Sequence, residues 1–173
     1  MNCDLFSRKI SLILLQFSET WLDASIVDSE ISIPGYTVQS RGGGVALFVL
    51  DGLKYSRRKD LEDKYEVVWI QVQLRKTKYL VSCVYRAPDE SLEVFDYLDD
   101  VMRYTTCGNF EVIILGDMNC NFLDSNQRQN SRLVEFLAAN ELTQMVTEPT
   151  RVTNNSSPLL DVLITSRPDQ FKA

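Results

Sequence analysis

The residues of this sequence suited to phosphate or metal chemistry stand at the ends of apolar runs. In EVIILGDMNCN, Glu111 to Asn121, the run Val112-Ile113-Ile114-Leu115 closes on Gly116, Asp117 and then Asn119. The apolar part reads as a strand buried on both faces, and Gly116 allows a sharp bend where a side chain would clash. Residues at i and i+2 of an extended backbone project to one side, so a carboxylate and an amide would point together. Such a pair could hold a metal or a phosphate. It could equally close a turn, the commoner use of Asp and Asn. Glu19 follows ISLILLQF within SETWLD, Tyr85 ends YLVSCVY just before Arg86 and Pro88, and Asp161 lies inside LLDVLIT. An ionised carboxylate in an apolar strand is costly unless a metal, a donor or a proton compensates it. Several such acids in one chain make a shared site more attractive than a set of separate caps. Its ligands would be oxygens, which suits hard Mg²⁺ and phosphate chemistry.

Composition narrows that chemistry. Histidine is absent, which removes Ser-His-Asp and Cys-His nucleophiles, histidine ligands and histidine bases together. Cys3, Cys83, Cys107 and Cys120 form no CxxC pair, so neither a zinc site nor a disulfide framework is expected. The net charge of -6 argues against holding nucleic acid by bulk electrostatics but leaves room for a local basic patch. Arg57-Arg58-Lys59 and Arg75-Lys76-Lys78 are the clusters available, and solvated loop charge is the simpler reading of both. Arg8-Lys9 before ISLILLQF imitates a signal peptide but no small-residue cleavage site follows, and the apolar run is too short to span a bilayer.

The elements that must position these residues can be read from periodicity. At 173 residues and 45% hydrophobic, with no repeat and no linker, the sequence is read as one domain with a real core. Strands are expected near Ile10–Phe17, at Val45–Leu50 after RGGG, at Glu66–Leu74 and Tyr79–Tyr85 as a hairpin turning at Arg75–Lys78, and at Val112–Leu115. Leu92, Phe95, Leu98 and Val101 recur at helical spacing within Ser91–Tyr104, with Ser91 as N-cap. A second amphipathic helix is expected over Ser131–Asn140, ended by its asparagine, and Met145–Val146 and Leu159–Thr165 are the last apolar segments. Hairpins interleaved with helices predict mostly antiparallel sheets with helices packed outside.

SETWLD, RGGGVALFV, VYRAP, LGDMN, TEPTRVT and LLDVLITS occur in an order that resembles the endonuclease/exonuclease/phosphatase superfamily. More closely, the set is similar to the endonuclease domain of non-LTR (long interspersed element-type) retrotransposons, from about Ser18 to Ser166. The resemblance implies an α/β fold, a four-layer sandwich of two mostly antiparallel sheets flanked by helices. It implies Mg²⁺ (or Mn²⁺) as cofactor, duplex DNA as substrate, a reverse transcriptase domain in the parent polyprotein, and a nuclear location. Carried over by position, Glu19 binds the metal and Tyr85 contacts the scissile phosphate, with Arg86 beside it as a further phosphate contact. Asp117 orients or deprotonates the attacking water, Asn119 holds the phosphate, Asp161 lies near the metal, and Thr153 touches DNA. The implied reaction is metal-assisted hydrolysis leaving a 3′-hydroxyl.

The sequence also departs from the pattern. The resemblance implies a closing Ser-Asp-His motif and an opening strand with an active-site asparagine. Asp169 is followed by Gln170 and is not equated with that motif, and Asn2 stands too close to Glu19 for the other role. The expectation is a domain incomplete at both ends with impaired endonuclease activity. The alternatives are an inactive remnant or binding module, and another superfamily hydrolase such as an abasic-site endonuclease. In RGGG no Gly-Lys-Ser/Thr follows, so a turn into a strand is expected rather than a phosphate loop.

Overall fold

The computed structural model describes residues 31–41 and 44–171, and residues 14–18 through their backbone pairing. Glu19, Trp21 and the start of the strand expected near Ile10–Phe17 lie outside the described residues. One antiparallel sheet has three strands: β1 (Leu14–Ser18), β2 (Tyr36–Arg41) and β3 (Val45–Leu50), in the order β1-β3-β2. The other has six: β4 (Tyr55–Arg57), β5 (Glu66–Leu74), β6 (Thr77–Tyr85), β7 (Glu111–Asp117), β8 (Thr143–Gln144) and β9 (Asp161–Thr165), in the order β4-β5-β6-β7-β9-β8. Helix α1 (Val94–Gly108) carries the chain from β6 to β7, and these two strands are parallel, as a crossover connection allows. The other pairings are antiparallel, and α2 (Arg128–Ala139) leads towards β8.

Strand alternation sorts the larger sheet into two apolar faces. Trp69, Leu80, Val84, Val112 and Ile114 pack with Phe95 and Leu98 of α1 and with Leu133 and Phe136 of α2. Val68, Ile70, Val81, Cys83 and Ile113 pack instead with Val45, Leu47 and Val49 of β3. A strand covered on both sides must be apolar at consecutive positions, which is why Val112 to Leu115 show no alternation. The outer face of the smaller sheet carries Val38, Ala46 and Phe48, packed against Ile31, Ile33 and the Tyr36 side chain of β2. The helical layer expected outside that face is not among the described residues. No helix of the described residues is long and apolar enough to cross a membrane.

Several boundaries differ from the sequence expectation, each for a local reason. The hairpin turn is tighter than Arg75–Lys78: Leu74 pairs with Thr77, and Arg75 takes φ 56° to close it. Helix α1 begins at Val94, because Ser91 accepts the Glu93 amide (3.2 Å) before the helix rather than capping its first turn. It runs on to Gly108 and stops where Asn109 adopts a left-handed φ of 53°. Helix α2 begins at Arg128, and Asn140 ends it by donating from its side chain to the Phe136 carbonyl (2.9 Å). A two-residue strand forms at Thr143–Gln144, just before the apolar segment Met145–Val146, and Asp161 opens β9 rather than lying inside it.

Candidate functional site

Strand register assembles the site. Glu66 pairs with Tyr85 across β5 and β6, Tyr85 with Asp117 across β6 and β7, and Asp117 with Asp161 across β7 and β9. Directly paired residues project to the same face. That face is the one lined by Val68, Cys83, Leu115 and Leu163, which meets the smaller sheet. A row of two acids, a tyrosine and a third acid therefore closes one rim of the core between the sheets. The smaller sheet meets the rim at the start of β3: a Cβ on Gly44 would overlap the carboxylate of Glu66 and crowd the Tyr85 ring. The last glycine of RGGG thus sits where the two sheets approach closely, which the turn expectation did not contain. Strand β1 ends beside β3 with Ser18 paired to Val45; Glu19, the expected metal ligand, lies outside the described residues.

The run GDMN forms a tight turn at the end of β7. Gly116 remains in the strand with φ 146°, and a Cβ there would overlap the Val84 carbonyl oxygen of β6. Asp117 is buried, and its Oδ1 accepts the Asn119 amide at 2.8 Å. Asn119 itself has φ 47°, a left-handed conformation that asparagine tolerates better than most residues. The extended geometry expected to align Asp117 with Asn119 is therefore replaced by a side-chain-to-backbone turn. Asn119 donates from Nδ2 to the Arg86 carbonyl oxygen at 2.8 Å, which carries its side chain back towards the end of β6.

Arg86 and Thr153 stand apart from the row. Arg86 is 1% exposed, with its guanidinium donating to the carbonyls of Met118 (3.2 Å) and Glu90 (2.6 Å). The side chain expected as a phosphate contact is here committed inward to two carbonyls. Thr153 is exposed on the loop before β9, where its hydroxyl accepts the Ser156 amide at 3.0 Å. The base of that loop closes on the site, because Thr150 Oγ1 accepts the amide of Asp161 at 3.1 Å.

Glu66 is the member of the row that sequence reading missed. Its signal was present, since counting back from a two-residue turn at Arg75-Lys76 sets Glu66 opposite Tyr85. Glu66 Oε2 is buried with no hydrogen-bond partner among the described residues. Burial, and then the charge of Glu90, raise its carboxyl above the ordinary carboxylate value, with Arg41 opposing. The buried Cys120 thiol is pushed up to about 11 by burial, with Arg86 opposing and Asp117 adding to the rise.

Among the described residues no three acids, cysteines or histidines are grouped to form a metal cage. The donors that the row presents are oxygens, which fit Mg²⁺, a cation commonly held by one or two carboxylates plus substrate phosphates.

Comparison with known proteins agrees with this geometry. The endonuclease domain of TRAS1, a telomere-specific non-LTR retrotransposon, matches with a TM-score of 0.70 at 17% identity, over 94% of this chain and 76% of that one. The human Nocturnin catalytic domain, solved with bound sulfate, matches with a TM-score of 0.61 at 14% identity, over 95% and 74%. The 3′ phosphatase NExo from Neisseria, bound to product DNA hairpin, matches with a TM-score of 0.60 at 12% identity, over 98% and 84%. At such identities these likenesses establish the fold. No curated protein matches the sequence. The family described as endonuclease-reverse transcriptase matches residues 79–172, more than half of the sequence and the part that contains Tyr85, Asp117, Asn119 and Asp161. The chain therefore belongs to the endonuclease-reverse transcriptase family, within the endonuclease/exonuclease/phosphatase superfamily of hydrolases.

Proposed function

We propose that this chain is a DNA endonuclease unit of a non-LTR retrotransposon protein, hydrolysing a phosphodiester bond with a divalent cation. The observation that carries the reading is the register that aligns Tyr85, Asp117 and Asp161 on three neighbouring strands, with Asn119 at the adjoining turn. Asp117 orients the attacking water and draws off its proton, its carboxylate held at the strand end by the Asn119 amide. Asn119 Nδ2 carries two N–H groups; one bonds the Arg86 carbonyl, and the second would donate to a phosphate oxygen. Tyr85 donates its phenol to the same phosphate. Asp161 and Glu19 are the residues that would hold the cation, and Mg²⁺ bound there would neutralise charge developing on the phosphate. Thr153, on its exposed loop, reaches the DNA outside the scissile bond. A reverse transcriptase elsewhere in the parent protein would extend the 3′-hydroxyl left by the nick, and the target duplex places the reaction in the nucleus.

The 173 residues contain no imidazole, so proton transfer falls to carboxylates and turnover by this chain alone is slow. The same observation favours a second reading, a module that binds DNA without cutting it. Supercoiled plasmid incubated with the chain in Mg²⁺, beside Asp117→Ala, separates these readings. Nicking that Asp117→Ala abolishes supports the endonuclease, and nicking that survives it sinks the assigned role. Salt-sensitive DNA binding without any nick supports the binding module. Cleavage confined to an abasic duplex transfers the chain to a repair-type specificity.

A further inference from the structure

We infer that Arg86 is a positioning residue, whose guanidinium clamps the Asp117–Asn119 turn from inside the protein. The inference deepens the endonuclease reading and rests on it for its activity measurement, whereas its structural measurement stands alone. Four hydrogen bonds join Arg86 to its surroundings. Its amide donates to the Asp117 carbonyl (2.9 Å), and its own carbonyl accepts Asn119 Nδ2 (2.8 Å). Its Nη1 donates to the Met118 carbonyl (3.2 Å) and its Nη2 to the Glu90 carbonyl (2.6 Å). The first two use the peptide group, and any residue could make them. The last two need a planar fork that reaches two carbonyls in different segments, which arginine supplies and lysine cannot copy.

The turn needs such a clamp. Asn119 has φ 47°, a left-handed backbone that costs most side chains about 1–2 kcal/mol and asparagine less. Strained conformations persist where their surroundings over-determine them. Here Asp117 Oδ1 holds the Asn119 amide from one side, and Arg86 holds Met118 from the other. Burying the guanidinium is itself expensive, because only carbonyl dipoles face it in these bonds and its Nε has no partner among the described residues. A cation kept at that cost, turned away from solvent, is placed for the turn and not for a ligand outside.

Three measurements on Arg86→Met and Arg86→Lys test this. In amide hydrogen exchange, Arg86→Met should speed exchange at Met118 and Asn119 by about tenfold or more while Ile113 and Ile114 keep their protection. Unchanged exchange at the turn would overturn the proposal. In nicking kinetics, Arg86→Met should lower kcat by about 100-fold, with KM for DNA little changed, because a small misplacement of a catalytic group is that costly. Arg86→Lys, able to reach one carbonyl, should fall between. A residue that contacted phosphate would instead raise KM, and its loss would make the salt dependence of DNA binding shallower by about 0.9 in log–log slope. That outcome also overturns the proposal. If the unsubstituted chain neither binds nor nicks DNA, the endonuclease reading fails, and the exchange measurement still decides the role of Arg86. If Arg86→Met does not fold, Arg86→Lys carries the exchange measurement.

Discussion

Strands β6 and β7 carry a tyrosine beside an acid at both ends of their pairing, Tyr79 with Glu111 and Tyr85 with Asp117. Both pairs lie on the face turned to the smaller sheet, so by residue type and register they are equivalent. Their neighbours make them different. At the first end, Glu111 accepts Arg167 on one oxygen (3.0 Å) and the Ser166 hydroxyl on the other (2.9 Å). The Tyr79 hydroxyl donates to Gln170 at 2.9 Å, and Ser166 Oγ accepts the Val112 amide at 2.9 Å. The polar groups there consume one another. At the second end the neighbours are further acids, Asp161 and Glu66, and the nearby arginine is turned into the protein against carbonyls. Two further acids thus flank the second pair, where an arginine and a serine flank the first. A tyrosine beside an acid is therefore only a register position, and its neighbours decide whether its polar groups are tied into an edge or set among further acids.

Removing each acid in turn separates the two ends most decisively. Asp117→Ala should lower nicking by about 10²–10⁴-fold, the usual contribution of a positioned proton acceptor. Glu111→Gln should leave the nicking rate unchanged. Comparable losses from both would show that the two ends are not distinct. The next largest effect is on folding. Gly116→Ala forces a Cβ onto the Val84 carbonyl oxygen at a φ that side chains disfavour. A loss of about 2–4 kcal/mol in urea denaturation is expected, and a variant as stable as the parent would refute the need for close approach there. At the clamped end, Glu111→Gln should cost no more than about 1 kcal/mol by the same measurement, since its ion pair with Arg167 is partly solvated.

The smallest effect sharpens the difference in charge. Burial holds the Glu66 proton more tightly in the folded chain than in the unfolded one. Its contribution to stability is therefore greatest at low pH and is lost as pH rises through the raised value. Glu66→Gln stays neutral throughout, so in EDTA its Tm should gain on the parent between about pH 4 and pH 7. Each kcal/mol gained corresponds to about 2–4 °C for a chain of this size. A Tm difference that does not change with pH would mean that Glu66 is solvated in the folded chain.

The amino-acid order alone determined much of this molecule. Val45–Leu50 and Glu66–Leu74 form strands with the expected bounds, because runs of β-branched and aromatic residues fit a pleated sheet covered on both sides. The helices formed where apolar residues recurred at helical spacing, with ends displaced where capping depended on tertiary partners. The motif order that resembled retrotransposon endonucleases led to the right family. The gathering of Tyr85, Asp117 and Asp161 into one rim was decided only by the tertiary structure. Helix α1 separates β6 from β7, and a helix and loops separate β7 from β9, so no local pattern records their register. The inward turn of Arg86 was also beyond the sequence, whereas the place of Glu66 opposite Tyr85 follows from the hairpin once its turn is set at two residues. Periodicity reports which face a residue occupies, whereas the partners of a buried polar group come from segments distant in the chain, and packing alone brings them together.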